Sequence, residues 1–210
     1  MWSNFEDKTV LLELPDATTS ELGNVQTLQN YIEDKTSITT VIKGVGYLGS
    51  AVAELMPPIL GGSHVKGIVR LSQLTEGLCF VDGVIDGFDY AKQAQGNRRY
   101  CLAIHEYGDL AGDNYDSIGP IMVNLEPSFD ACDPTVTRIR KQVPNCDVSA
   151  MIGRSIAVTE VIKEKMSGQV LSAGVIARAS IIDANKKRIC SCSGKTIWEE
   201  RLDRKQRDLG

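Results

Sequence analysis

Short β-rich runs separated by turns rich in glycine and aspartate recur between Val65 and Ile182, and they limit the fold more than any other feature. Runs of this kind are typical of strands. Thr75-Glu76-Gly77 joins the first two runs as a hairpin-type turn. The pattern predicts an antiparallel β-sandwich or barrel. The runs cover residues 65–71, 78–85, 100–105, 120–125, 152–161 and 173–182.

The first 56 residues have a different pattern. Residues 10–14 are typical of a short buried strand, and apolar residues at helical spacing predict a helix from Val25 to about Asp34. Residues 38–42 predict a second strand. Because this strand–helix–strand unit has fewer than about 40 residues, we expect it to bury little core by itself.

Charge and hydropathy limit the classes of function. The net charge of the 210-residue chain is −4, with both signs interspersed, so no basic field favours nucleic acid. No run of about 18 apolar residues predicts a membrane span. The first residues have neither a basic start nor an apolar stretch, so no signal peptide is predicted. We expect a cytoplasmic protein.

Two of the six cysteines stand close together. Cys190 and Cys192 flank Ser191, whereas Cys79, Cys101, Cys132 and Cys146 are scattered singly. In an extended segment, residues two apart point to the same side, so both sulfurs could meet one partner. Two thiolates are soft ligands that suit Cu(I). Zinc prefers four ligands, and no other close Cys or His pair is present.

The cysteine pair has three interpretations from its residues alone. The first is two solvent-facing thiols without a role, which the bare C-x-C spacing favours. The second is a copper ligand pair, which the nearby positive charge of residues 186–188 favours because it stabilises thiolates. The third is a redox pair in which one thiol attacks a partner disulfide and the other resolves the mixed disulfide.

The flanks of the pair carry a resemblance. Residues 188–201 read RICSCSGKTIWEER, and they resemble the C-terminal signature of copper chaperones for Cu/Zn superoxide dismutase, departing from it at Ser193 and Lys195. Further likenesses to the dismutase-like domain of that family lie at residues 65–70, 81–87, 105–110, 152–155 and 174–178. Residues 41–46 and 51–55 resemble the second half of the family's N-terminal ferredoxin-like domain.

The resemblance implies a mainly β fold with four parts. We expect a partial ferredoxin-like, heavy-metal-associated (α+β) domain at residues 1–56, lacking its C-x-x-C half, and a linker at 57–63. A Greek-key β-sandwich or barrel like Cu/Zn superoxide dismutase follows at 64–182. A flexible tail at 183–210 carries the C-x-C. Residues 127–148 remain unassigned.

Departures from the family pattern bear on metal binding. The strand, C-x-x-C loop and helix that begin the family's N-terminal domain are missing from this sequence. Of the H-x-H on the copper strand only His105 remains, since Ala103 holds the first position, and we interpret His105 as vestigial. The zinc loop is shortened, with Asp116 as a remnant. Ala173 replaces a disulfide cysteine, and Val170 takes the place of the arginine that attracts superoxide.

The resemblance implies a metallochaperone that is not an enzyme. Cu(I) is its transient cargo on Cys190 and Cys192, which also form the mixed disulfide, and its partner is Cu/Zn superoxide dismutase in a heterodimer. A homodimer is a further assembly to test. The alternative is a metal-free dismutase-docking or regulatory protein; an active dismutase disagrees with the ligand count. The expected docking residues are Ile152, Gly153, Arg154, Val175, Ile176 and Trp198.

Overall fold

The computed structural model of the chain describes residues 2–4, 9–11, 25–38, 40, 49–60, 62–89, 99–131, 136–161 and 168–179. The chain divides into two compact units, residues 1–40 and 41–210. Within the described ranges, no helix has the length and apolar character that crossing a membrane would require.

The first unit contains a small strand pair and a helix. Strands β1 (Trp2–Asn4) and β2 (Thr9–Leu11) pair antiparallel, with Trp2 opposite Leu11. Helix α1 spans Val25–Thr36, which confirms the predicted helix and extends it by two residues. The hydroxyl of Thr36 donates to the carbonyl of Ile32 at 2.7 Å, as is common for a threonine in the last helical turn.

The chain after α1 folds back onto the helix. Gln29, which is 3% exposed, donates from Nε2 to the carbonyl of Thr40 at 3.0 Å. Oε1 of Glu33 accepts from the amide of Thr40 at 2.6 Å. Of the predicted strand at 38–42, Ile38 and Thr40 are described and neither lies in a strand. The other residues of that strand are outside the described ranges, and the ferredoxin-like assignment stays a prediction.

The second unit is a sandwich of two antiparallel sheets, with strand orders β11-β3-β4-β5-β8 and β10-β9-β6-β7. After β7 the chain crosses to β8 in the other sheet, and β9 returns to lie beside β6, which is a Greek-key connection. The predicted mainly β, Greek-key fold is therefore confirmed. The strands are β3 (Ser50–Leu55), β4 (Lys66–Thr75), β5 (Leu78–Asp86), β6 (Arg99–His105), β7 (Ile121–Phe129), β8 (Thr137–Pro144), β9 (Ser155–Val161), β10 (Val170–Val175) and β11 (Ala177–Ala179).

The main core lies between the two sheets. Alternate residues of a strand point to one face, and the inward ones here are apolar: Leu71 and Val81 from one sheet meet Leu102 and Ile156 from the other. All four are 0% exposed. Removing this apolar surface from water is the main stabilising contribution, at about 25 cal/mol per Å².

The structure differs from the predicted domain division at β3. The sequence pattern places residues 51–55 in the first domain, ahead of a linker at 57–63. Instead, β3 pairs with β4 through contacts such as Ala53 opposite Val69, so residues 56–65 connect two strands of one sheet. The physical reason is that Ala51, Ala53 and Leu55 are buried in the core of the sandwich.

Two predicted strands are interrupted by turns. The run at 152–161 becomes a strand only from Ser155, because Asp147 caps the short helix α2 (Val148–Met151) and Gly153 then takes a left-handed turn with φ +85°. Oδ1 of Asp147 accepts from the amide of Ser149 at 2.9 Å. The run at 173–182 breaks at Ile176, between β10 and β11. The sequence left residues 127–148 unassigned, and they hold the end of β7 and all of β8.

Candidate functional site

The predicted copper ligands Cys190 and Cys192, and the predicted docking residue Trp198, lie outside the described residues. The last described residue is Ala179, in β11 at the edge of the five-stranded sheet. The role of these three residues stays a prediction.

His105 is the last residue of β6 and is 7% exposed. Its Nδ1 lies 2.8 Å from the carbonyl oxygen of Gly119. Because a carbonyl oxygen only accepts, Nδ1 carries the proton. Nε2 is buried and has no hydrogen-bond partner among the described residues. Burial lowers the pKa of His105, and the hydrogen bond to Gly119 opposes this shift without cancelling it, so the ring is a neutral imidazole with a lone pair on Nε2.

The other positions that the resemblance connects with metal supply no ligand cluster. Ala103, two residues before His105, is 0% exposed. Asp116 is exposed at the start of a 3-10 helix, η1 (Asp116–Ile118). Among the residues that the structure describes, no group of three or more His, Cys, Asp or Glu side chains could hold a metal ion. Val170 is partly buried in β10 and packs against a small apolar cluster.

That small cluster surrounds Ala173. Ala173 is 0% exposed and packs with Tyr115, Ile118 and Ala157. The hydroxyl of Tyr115 donates to the carbonyl of Met56 at 3.2 Å, with the carbonyl of Pro57 at 3.1 Å. At the position where the resemblance implies a lost cysteine, hydrocarbon side chains therefore fill the space.

The predicted docking residues on two separate segments come together. The turn after α2 lies beside the end of β10, since the amide of Gly153 donates to the carbonyl of Ile176 at 2.9 Å and the amide of Ile176 donates to the carbonyl of Arg154 at 2.8 Å. Val175 is 38% exposed, whereas Ile176 is 1% exposed and belongs to the main core. The Ile176 side chain thus supports the surface from below.

A third segment completes this surface. The side chain of Arg154 donates to the carbonyl of Glu106 at 2.8 Å, and the hydroxyl of Ser155 donates to the carbonyl of Tyr107 at 2.6 Å. A Cβ added to Gly108 would lie 2.1 Å from the carbonyl oxygen of Gly153. The backbones therefore approach as closely as glycine allows. We call the surface formed by these segments the docking patch; it consists of Tyr107, Gly108, Ile152, Gly153, Arg154 and Val175.

Sequence reasoning missed Tyr107 as part of this surface. Its side chain is 53% exposed although the ring is large and apolar. Tyr107 follows His105 by two positions, in the segment that resembles the family's copper strand. The segment was therefore interpreted in terms of metal binding and not of partner binding. The signal that the sequence offers is a large aromatic residue shortly after the predicted strand run at 100–105.

Comparisons with known proteins identify the family. A scan against protein-family models finds no match. The copper chaperone for superoxide dismutase of Sus scrofa is 32% identical, in an alignment that covers 84% of this chain and 72% of that protein. The human protein of the same description is 31% identical, covering 94% of this chain and 77% of its own length. This chain belongs to the family of copper chaperones for superoxide dismutase. The superoxide dismutase 1 copper chaperone of Saccharomyces cerevisiae is 26% identical, with coverage of 85% and 74%.

Solved structures give more distant matches. The clock protein EA4 matches with a TM-score of 0.45 and 21% identity, over 63% of this chain and 98% of that one. A mutant of superoxide dismutase 5 from Candida albicans matches with a TM-score of 0.44 and 12% identity, over 70% and 98%. For this member of the copper chaperone family, the described residues hold one buried imidazole and an exposed patch at which docking is predicted.

Proposed function

We propose that this chain carries Cu(I) on Cys190 and Cys192, delivers it to Cu/Zn superoxide dismutase and assists disulfide formation in that partner. The observation that carries the proposal is the Cys190-Ser191-Cys192 pair in a chain of this family. Two thiolates on one side of an extended segment can hold Cu(I) in low coordination and pass it on by thiolate exchange. The same thiols can form a mixed disulfide with the partner.

The residues on the copper strand do not compete for this role. His105 is a single neutral imidazole, and its neighbour at the first ligand position is Ala103. A catalytic copper or zinc centre takes three or more protein ligands. We therefore propose that the chain is a chaperone rather than a dismutase. We also propose that it works in the cytoplasm.

The docking patch supports a heterodimer with the dismutase. Val175 and Tyr107 expose apolar surface beside two glycines, and hydrogen bonds between the backbone segments hold the patch in place. A rigid patch of this kind loses little conformational entropy on binding. A homodimer through the same patch is the competing assembly, since a two-fold interface uses one surface on both subunits.

A metal-free docking or regulatory protein is the second candidate function. The observation that favours it is that residues of the described sandwich build the docking patch without the tail. Under this alternative the chain binds the dismutase equally well when Cys190 and Cys192 are replaced, and carries no copper there.

An anaerobic Cu(I) titration against a colorimetric chelator separates the two. The full chain, the double variant Cys190→Ser/Cys192→Ser and the matched control Ser191→Ala/Ser193→Ala are compared. The proposal expects the control to withdraw one equivalent of copper as the wild type does, and the cysteine variant to withdraw none. Equal copper binding by all three proteins would show that Cys190 and Cys192 are not the copper site. The metal-free docking protein would then be the remaining candidate.

A further inference from the structure

A pair of cysteines distant in sequence meets inside the sandwich. Cys79 lies in β5, and Cys146 follows the end of β8. These strands pair antiparallel with Cys79 opposite Val143. The amide of Cys146 donates to the carbonyl of Gly77 at 3.2 Å. Both side chains are 0% exposed and belong to the main core cluster, and each thiol is the largest influence on the pKa of the other.

The interaction between the two thiols makes them unequal. It lowers the pKa of Cys146, against the effect of burial there, and raises the pKa of Cys79, which burial raises further. Cys146 is therefore the thiol that loses its proton first. A thiol of lowered pKa next to a second thiol is the arrangement of a redox pair.

A polar network fixes the backbone on the Cys146 side. Gln73 in β4 is 5% exposed, and its Nε2 donates to the carbonyl of Cys146 at 3.1 Å. Its Oε1 accepts from the amide of Val148 at 2.7 Å. The segment that enters α2 is thus tied to the sheet at Gln73, which lies directly opposite Cys79 in β5.

Cys101 shows what a cysteine without this arrangement looks like. It is also 0% exposed and lies in β6. Its neighbour across the strands is Thr159 of β9 rather than a cysteine, and burial raises its pKa. Cys101 is therefore a matched control for the pair in burial and in strand location.

We propose that Cys79 and Cys146 form an internal disulfide when a low-molecular-weight disulfide, such as oxidised glutathione, reaches them. The thiolate of Cys146 attacks one sulfur of glutathione disulfide, which forms a mixed disulfide and releases one glutathione thiolate. Cys79 then loses its proton and attacks Sγ of Cys146, which releases the second glutathione. Two protein thiols are oxidised, one glutathione disulfide is reduced to two glutathiones, and both protons end on the glutathiones.

The path for the oxidant is the turn beside Cys146. Pro144, Asn145 and Asp147 are exposed, so the buried Cys146 is flanked on both sides by exposed residues. Asn145 is left-handed, with φ 54°, which is uncommon for a residue other than glycine. Oxidation therefore needs a local opening of this turn that breaks the Gln73 hydrogen bonds to Cys146 and Val148; openings of this size occur without global unfolding, and this one exposes the thiol of lower pKa first.

The disulfide has a consequence for the docking patch. It joins β5 to the turn before α2, and α2 leads directly into Ile152, Gly153 and Arg154. The bond thus adds a covalent restraint to the segment that presents the patch. Formation of the bond does not depend on the proposed function, because it needs neither copper nor the dismutase.

Peptide mapping tests the pair on the full chain. The protein is incubated with glutathione disulfide, its remaining thiols are alkylated, and a non-reducing digest is examined by mass spectrometry. We expect a linked peptide containing Cys79 and Cys146, with loss of two hydrogens, in the wild type and in Cys101→Ser. We expect the thermal midpoint of both to rise by about 5 °C or more on oxidation, with no rise in Cys146→Ser.

The wild-type map decides the matter even if a variant does not fold. The same incubation is repeated in mild urea, which populates local openings. If Cys79 and Cys146 are both recovered alkylated under both conditions, or if Cys79 is linked to another cysteine instead, the pair is an ordinary core contact and the proposal is wrong.

Discussion

Nδ1 of His105 donates to the carbonyl of Gly119 at 2.8 Å, while Nε2 of the same ring is buried with no hydrogen-bond partner in the part of the chain that the structure describes. The first contact fixes the tautomer, and the second disfavours a proton on Nε2 because an imidazolium there would have an unsatisfied buried donor. Burial accordingly lowers the pKa of His105 from its ordinary value of 6.5.

This relationship predicts a stability that depends on pH. Because the folded pKa lies below the unfolded value, the unfolded state binds more protons between the two values. The contribution of His105 to the free energy of unfolding is therefore complete above about pH 6.5, falls as the pH drops below it, and stops falling below the folded pKa.

Urea unfolding between pH 7.5 and 5 should show this loss of stability in the wild type and less of it in His105→Gln. His64→Gln, which removes the other histidine, should keep the loss; an unchanged slope in His105→Gln would contradict the assignment.

The docking patch predicts a charge effect on partner binding. Val175→Asp places a carboxylate on the exposed apolar surface at the end of β10, and an unpaired charge is costly to desolvate in an interface. We expect the affinity for apo Cu/Zn superoxide dismutase to fall by about tenfold or more, measured by sedimentation or calorimetry.

Met122→Asp is the control for that change. Met122 is 47% exposed and lies on β7, at the opposite edge of the four-stranded sheet from β10. We expect Met122→Asp to bind the dismutase as the wild type does. Equal weakening by both variants would place the interface elsewhere.

The close approach of Gly108 predicts a steric cost. A Cβ there would lie 2.1 Å from the carbonyl oxygen of Gly153 and 3.4 Å from Cγ1 of Val175, so the backbone must shift. We expect Gly108→Ala to lower the free energy of unfolding by about 1–3 kcal/mol. At Gly112 the nearest atom is 3.4 Å away, and Gly112→Ala should cost much less. Denaturant unfolding of the two variants checks the difference.

The Gln73 network predicts a second loss of stability. Gln73→Met keeps a similar side-chain volume but removes the donor to Cys146 and the acceptor for the amide of Val148. A buried amide without a partner costs about 1–3 kcal/mol. We expect a drop of that order in urea unfolding, together with faster hydrogen exchange at Val148. A variant as stable as the wild type would show that water replaces the side chain.

The strands of the sandwich could be predicted because each carries its own signal. Apolar runs bounded by Gly and Asp turns, such as the Glu76-Gly77 turn between β4 and β5, depend on neighbours in sequence. The placement of β3 could not be read in this way. Residues Ser50–Leu55 form a strand in either domain, and only pairing with β4 decides which sheet they join.

The candidate site also contains features that the sequence could predict and features that it could not. His105, Gly153 and Arg154 were singled out from local likenesses to the family pattern, whereas the turn at Gly153 was not predicted. The meeting of Cys79 with Cys146, and of Gly108 with Gly153, depends on how distant strands pair, which the sequence spacing does not encode. The alternation of side chains along a strand predicts that one of Val175 and Ile176 faces inward. The structure shows that Val175, where β10 ends, is the exposed residue.

Copper transfer tests the central claim most directly. The chain is loaded with one equivalent of Cu(I) without oxygen and mixed with zinc-loaded, copper-free Cu/Zn superoxide dismutase in the presence of a copper chelator; after admission of air, dismutase activity is measured. We predict that the wild type and Ser191→Ala/Ser193→Ala restore the activity and that Cys190→Ser/Cys192→Ser does not. Restoration of equal activity by the cysteine variant would contradict the account.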